Sequence, residues 1–156
     1  MSDPRIPTEV LVIDANILVS AALGVRTRVT MARVGLQRTL VTSREAASEA
    51  LLVAQNQRNR TPFALDDLLE ILDAIEVIAV EKYEAMIADA AAVLQNAVAS
   101  RNGSTADAHV LALAWTCESH IWSHDRDFAG TGWPSWSSAN LAAALSKEAP
   151  ASATHP

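Results

Sequence analysis

The sequence predicts a single-domain α/β fold with a parallel central sheet, and three observations carry that prediction. Short apolar runs rich in β-branched residues recur along the chain, separated by longer stretches with helical spacing. Half of the residues are hydrophobic but only 4% are aromatic, a balance that suits close-packed helices better than an all-β sandwich. The length of 156 residues is that of one domain, and so apolar a composition excludes intrinsic disorder.

The elements follow in order. Val10-Leu-Val-Ile13 comes after Pro7, ends at Asp14 and reads as a fully buried parallel strand. From Ala15 to Leu23 the pattern turns helical and stops at Gly24, a natural helix end. Residues 28–38 read as a second helix and Leu40-Val-Thr42 as a second strand. Ser43 is placed to cap a helix reaching about Gln57, with Ala47, Ala50, Leu51 and Ala54 at helical spacing. Thr61-Pro62 breaks the chain. Residues 65–74 then form an amphipathic helix, with Leu65, Leu68, Leu69 and Leu72 on one face and Asp66, Asp67, Glu70 and Asp73 on the other. The leucine face is a core stripe or a docking groove, and core is the simpler reading. Val77–Val80 is a third strand. An Ala-rich helix is expected over 82–100, a stop at Arg101-Asn102-Gly103, and a helix over 105–118 started by Ser104 or Thr105. His120–Ser123 is a fourth strand, Trp136 sits in a short fifth, and a last helix covers 139–147. The domain is expected to span 1–149, with a flexible tail at 150–156.

Twelve Lys and Arg against eighteen Asp and Glu give a net charge of −6, which excludes a strongly basic nucleic-acid binder. The charge is segregated. The first 60 residues hold eight arginines and five acids, a balance of +3, and the remainder carries −9. One cysteine, Cys117, rules out an internal disulfide and reads as a small buried hydrophobe. No apolar run is long enough for a membrane helix and no signal-peptide pattern opens the chain, so a reduced, cytoplasmic protein is expected. Trp115 and Trp122 read as core, and Trp133-Pro-Ser-Trp136 as a packed loop rather than a base-stacking platform.

Parallel sheets place their sites beyond the carboxyl ends of the strands. Strand one ends in Asp14, and strand four runs into Ser123-His-Asp125-Arg-Asp127. Strand two leads into the helix carrying Glu45 and Glu49, and Asp107 opens the helix before strand four. Taken singly these acids have plainer roles: a helix-dipole partner for Asp107, a solvated face for Glu45 and Glu49, turn or cap residues for Asp14 and Asp127. Together they form a carboxylate cluster, unstable alone and favourable around a hard divalent cation. Mg²⁺ or Mn²⁺ suits the oxygen donors. Zn²⁺ suits them less, because His109 and His124 are neighbours rather than evident ligands.

At these residues the chain resembles the PIN-domain nucleases, including the small VapC-like toxins. Val-Ile-Asp14-Ala-Asn16 is similar to their first motif, and Ser43 with Glu49 six positions later to the second. Asp107-Ala-His-Val-Leu-Ala-Leu-Ala resembles the third motif and Ser123-His-Asp125-Arg-Asp127-Phe128 the fourth; the resemblance covers about residues 9–146. It implies an α/β/α sandwich with four to five parallel strands and a metal-dependent ribonuclease site. It assigns Asp14, Glu49, Asp107 and Asp125 as the acidic, catalytic and metal-holding cluster, Asn16 and Ser123 as polar support, and Asp127 as an optional fifth acid. Asp14 and Asp125 are the expected direct ligands of Mg²⁺ or Mn²⁺, with Glu49 and Asp107 acting through water. The implied products carry a 5′-phosphate and a 3′-hydroxyl. The expected partners are RNA, a cognate antitoxin protein and a second copy of the chain in a homodimer. The four tryptophans exceed what many small members carry, which makes 129–137 a candidate subfamily feature.

Arg26, Arg28 and Arg33 follow the first strand–helix unit and are candidates for holding RNA phosphates, with a solvated helix face as the equal alternative. Other chemistries on such a sheet fit worse. Haloacid-dehalogenase-like phosphatases need Asp-x-Asp where this chain has Asp14-Ala-Asn16, and a receiver domain needs an acceptor Asp where strand three ends Val80-Glu-Lys82. A non-catalytic RNA- or protein-binding module, and an RNA-processing nuclease outside a toxin–antitoxin pair, remain as alternatives.

Overall fold

Four apolar residues, Val10–Ile13, form strand β1 at the centre of the sheet, and Leu11, Val12 and Ile13 are fully buried. The computed structural model describes residues 6–97, 105–124 and 127–153. After β1 come α1 (Ala15–Leu23), α2 (Val25–Gly35), β2 (Thr39–Ser43), α3 (Arg44–Asn56), α4 (Ala64–Ala74) and β3 (Glu76–Ile78). There follow α5 (Ile87–Asn96), α6 (Ala108–Cys117), β4 (His120–Trp122), β5 (Ser135–Trp136) and α7 (Ser138–Ala153).

The five strands are all parallel, in the order β3-β2-β1-β4-β5. The register aligns Ile13 with Thr42 on one side and with Trp122 on the other, so β1, β2 and β4 end level. Period-two alternation sends successive side chains to opposite faces. Leu11, Ile13, Leu40 and Trp122 pack under α1, α2, α3, α4 and α7, with Ile17, Leu18, Leu68 and Leu141 at the centre. Val12, Val41 and Ile121 face the other way, onto Ala90 and Leu94 of α5, the apolar body of α6, Tyr83 and Phe128. The result is the expected α/β/α sandwich. Alanine on the buried face of α3 (Ala46, Ala47, Ala50, Ala54) keeps that helix close to its neighbours.

Several expectations are corrected. The helix expected from residue 82 begins at Ile87, because two 3₁₀ turns, Val80–Lys82 and Glu84–Met86, swing the Tyr83 side chain into the core. On α4 the buried side chains are Ala64, Leu68 and Ile71, which leaves Leu69 half exposed instead of aligned with the core stripe. Cys117 is exposed at the end of α6 rather than buried. The last helix runs on to Ala153 instead of stopping near 147. The stop at 101–103, the Ser104 cap and residues 154–156 lie outside the described residues. The tryptophans behave as packing residues. Trp122 is fully buried and donates to Ser138 Oγ at 3.0 Å, and Trp133 donates to the Ser119 carbonyl at 2.8 Å. Trp136 donates to His120 Nδ1 at 3.0 Å, an arrangement suited to the neutral ring, whose pKa burial lowers. Trp115 is half-buried against the second core. No described helix is long and apolar enough to cross a membrane.

Candidate active site

The strand order changes direction between β1 and β4, the switch point at which parallel α/β sheets form their ligand crevice. Asp14 and Ser123 sit at that point. The Asp14 backbone N–H donates to the Trp122 carbonyl at 3.0 Å, and its own carbonyl accepts from Ile17 and Leu18, so it is the residue that starts α1. Its carboxylate makes no capping bond to that helix and is buried. It turns instead to Ser123, whose Oγ lies 2.7 Å from Asp14 Oδ2 and 2.9 Å from Asp127 Oδ2.

A serine hydroxyl has one proton to donate. It cannot serve two ionised carboxylates equally at such distances, so the trio fits best when one carboxyl is protonated. The electrostatics say which. Burial raises the Asp14 carboxyl from 3.8 to about 7; the hydrogen bonds from Ser123 and from the Ala15 N–H oppose the shift, and the charges of Asp107 and Asp127 add to it. Without a cation, Asp14 takes up a proton as pH falls through about 7, and Ser123 bridges it to Asp127.

Of the other predicted residues, Asp107 stands as the residue before α6, half-buried, with its charge felt at Asp14. Asp127 is brought to Ser123, as above. Glu49 lies in the second turn of α3 and is exposed. Asn16 is exposed in the first turn of α1. Asp125 lies outside the described residues. The arginines divide. Arg28 Nε and Nη2 donate to the Ala21 and Ala22 carbonyls at 3.0 and 3.1 Å and pair with Asp67 at 3.1 Å, so its guanidinium closes the end of α1 against α4. Arg33 lines a groove with Gln37 and with Ala142, Ala143 and Ser146 of α7, and Arg26 is exposed at the start of α2.

Two bonds beside the acids escape sequence reasoning. Ser43 accepts from the Ala46 N–H at 3.0 Å, as the cap pattern predicts, but it also bonds His109 Nδ1 at 2.8 Å across 66 residues. Buried Tyr83 donates to Glu45. The signal available was slight: a helix-cap serine, a histidine two positions past Asp107, and the chain's single tyrosine.

The donor set is carboxylate and hydroxyl oxygen around one buried acid, which suits a hard divalent cation. Among the described residues, no three His, Cys, Asp or Glu side chains close on a common point as a metal set. Mg²⁺, which keeps several of its waters, asks for fewer protein ligands than that. The fit therefore rests on Asp14 and its charged neighbours.

The PIN domain family model matches residues 12–146, and the chain belongs to that family. Among solved structures it is similar to a chain of VapBC2 from Rickettsia felis, crystallised with a DNA fragment from its promoter. The TM-score is 0.60 at 13% identity over 82% of this chain and 98% of the other, which establishes a shared fold. No curated protein matches significantly in sequence.

Proposed function

We propose that the chain is a Mg²⁺- or Mn²⁺-dependent endoribonuclease, the toxin of a toxin–antitoxin pair. The observation that carries this reading is the buried Asp14 carboxyl at the sheet's switch point, bonded to Ser123 and crowded by the charges of Asp107 and Asp127. PIN domains are generally nucleases, and family membership supports the same chemistry. When bound, the divalent ion lowers the pKa of water and offsets phosphate charge. Asp14 would hold it with Asp125, and Asp107 and Glu49 would orient the surrounding water. Ser123 would hold the Asp14 carboxyl in place and bridge it to Asp127 by hydrogen bonds. Asn16, exposed in the first turn of α1, would serve as polar support beside the acids.

The partner side of the reading rests on the helices. Val25 on α2, Leu36 at its end and Phe63 before α4 are 70%, 86% and 71% exposed. A groove of about 450 Å³ runs between α2 and α4, lined by Met31, Leu36, Leu40, Ile71 and Ile75. An amphipathic antitoxin segment would cover such a surface. The solved VapBC2 complex, of the same fold, is consistent with a partner of that kind. A cytoplasmic homodimer acting on RNA completes the proposal.

Cleavage of a broad RNA panel by the purified chain tests it. Products are expected with Mg²⁺ or Mn²⁺ and none with EDTA. Absence of cleavage under every metal condition, or undiminished cleavage in EDTA, would reject the enzyme reading.

A further inference from the structure

Beside the acids lies a second polar cluster that the proposed chemistry does not use. Ser43 ends β2, Glu45 starts α3, Tyr83 comes from the 3₁₀ segment, and His109 from the first turn of α6. Ser43 is fully buried and uses its oxygen to take the Ala46 N–H at 3.0 Å while bonding His109 Nδ1 at 2.8 Å. Tyr83, 1% exposed, donates to Glu45. The start of α3 is thereby tied to the start of α6 on one side and to the 3₁₀ segment on the other.

These two helices carry acids of the proposed metal site. Asp107 is two residues before His109, and Glu49 is one turn beyond Glu45 on the same side of α3. We propose that His109, through Ser43, is a positioning residue that sets the spacing of Asp107 and Glu49 for the divalent cation; this rests on the nuclease reading above. His109 acts through the hydrogen bond and does not touch the metal. The Tyr83–Glu45 bond serves the same end, because it keeps Glu45 engaged while Glu49, one turn on, stays exposed.

Bonds that orient a metal site's ligands are worth about 10- to 100-fold in metal affinity or activity when removed. The test compares His109→Leu, His109→Asn and His109→Gln in the full chain. Asparagine puts an amide where Nδ1 was and can meet Ser43 as donor or acceptor. Leucine fills the space without a polar atom, and glutamine moves the amide one carbon too far. Mn²⁺ affinity by calorimetry and the kcat and KM for RNA are the readouts, with melting temperature as the control for folding. His109→Leu and His109→Gln are expected to bind Mn²⁺ about tenfold or more weakly. They are also expected to lose kcat with KM for RNA unchanged. His109→Asn should restore both quantities toward wild type. If leucine prevents folding, the Asn–Gln pair alone decides. Wild-type Mn²⁺ affinity in the glutamine variant, or an asparagine variant as weak as glutamine, overturns the positioning role. A wild-type chain that binds no Mn²⁺ overturns the nuclease reading first and the positioning role with it, so the two failures are distinct.

Discussion

Burial makes the ionised form of Asp14 costly in this fold. Its carboxyl titrates near 3.8 in an unfolded chain and at about 7 in the folded one, chiefly because of burial. Between those values the folded state binds a proton that the unfolded state has released. The fold therefore has this advantage below the window and loses it as pH rises through about 7. Asparagine mimics the neutral acid at every pH. In metal-free buffer, wild type should match Asp14→Asn at the acid end and become the less stable of the two as neutrality is approached, by a few kcal/mol at about 1.4 kcal/mol per pKa unit. Urea denaturation across that range measures the difference, and a flat difference would contradict the burial argument. Added Mg²⁺ binds the ionised carboxylate, so its stabilisation of wild type should grow with pH and be small in Asp14→Asn. Asp14 was legible in the sequence only in combination, because other acids also fall at strand ends; alone it reads as a turn residue. His109 and Tyr83 were not, since what they do depends on Ser43 and Glu45, 66 and 38 residues away.

At the scale of elements, β1 and β4 were legible because buried strands are short apolar runs, whereas the third strand, expected over Val77–Val80, is Glu76–Ile78 because Val80 opens a 3₁₀ turn. The helices were located well and oriented less well. Leu69 shares the spacing of Leu65 and Leu72, but α4 docks on the flank bearing Ala64, Leu68 and Ile71, a choice made by the neighbouring helices α1 and α3. Residues 82–86 have helical composition, yet the pull of Tyr83 into the second core gives 3₁₀ turns instead. That pull is testable. Tyr83→Phe keeps the ring and removes the bond to Glu45, and should lower stability by about 1–2 kcal/mol in chemical denaturation. A value near zero would mean that the ring alone shapes the segment. At the other end of α6, Glu118 takes a left-handed conformation with φ of 51°, and the Ser119 N–H reaches back to the Ala114 carbonyl at 2.9 Å. A side chain there carries a penalty that glycine lacks. Glu118→Gly should hold or raise the melting temperature, and a marked drop would place a stabilising role on the side chain.

Over the whole molecule the charge asymmetry of the sequence is folded back on itself. Arg28 pairs with Asp67, and Arg38 pairs with Glu148 at 2.7 Å while also bonding the Pro7 carbonyl, so arginines of the positive segment tie down acids of the negative one. Read along the chain, Arg26, Arg28 and Arg33 are candidates for phosphate contacts or a solvated face; Arg28 instead fastens α1 to α4, and Arg38, in the turn after α2, ties Pro7 to α7. The fold also leaves large apolar side chains exposed. Leu36 is the most exposed large hydrophobic residue among those described, and it lies where two grooves meet. Leu36→Glu should leave the melting temperature nearly unchanged and abolish capture of the co-expressed antitoxin in a pull-down. Retained capture would move the partner to another face. The central claim concerns the crevice between β1 and β4, and the single-turnover rate of RNA cleavage in Mg²⁺ tests it most directly. Asp14→Asn should fold as wild type does and cleave slower by about a hundredfold or more, as expected for losing a group that holds the reacting charge. Equal rates for the two proteins would place the chemistry elsewhere and contradict the account.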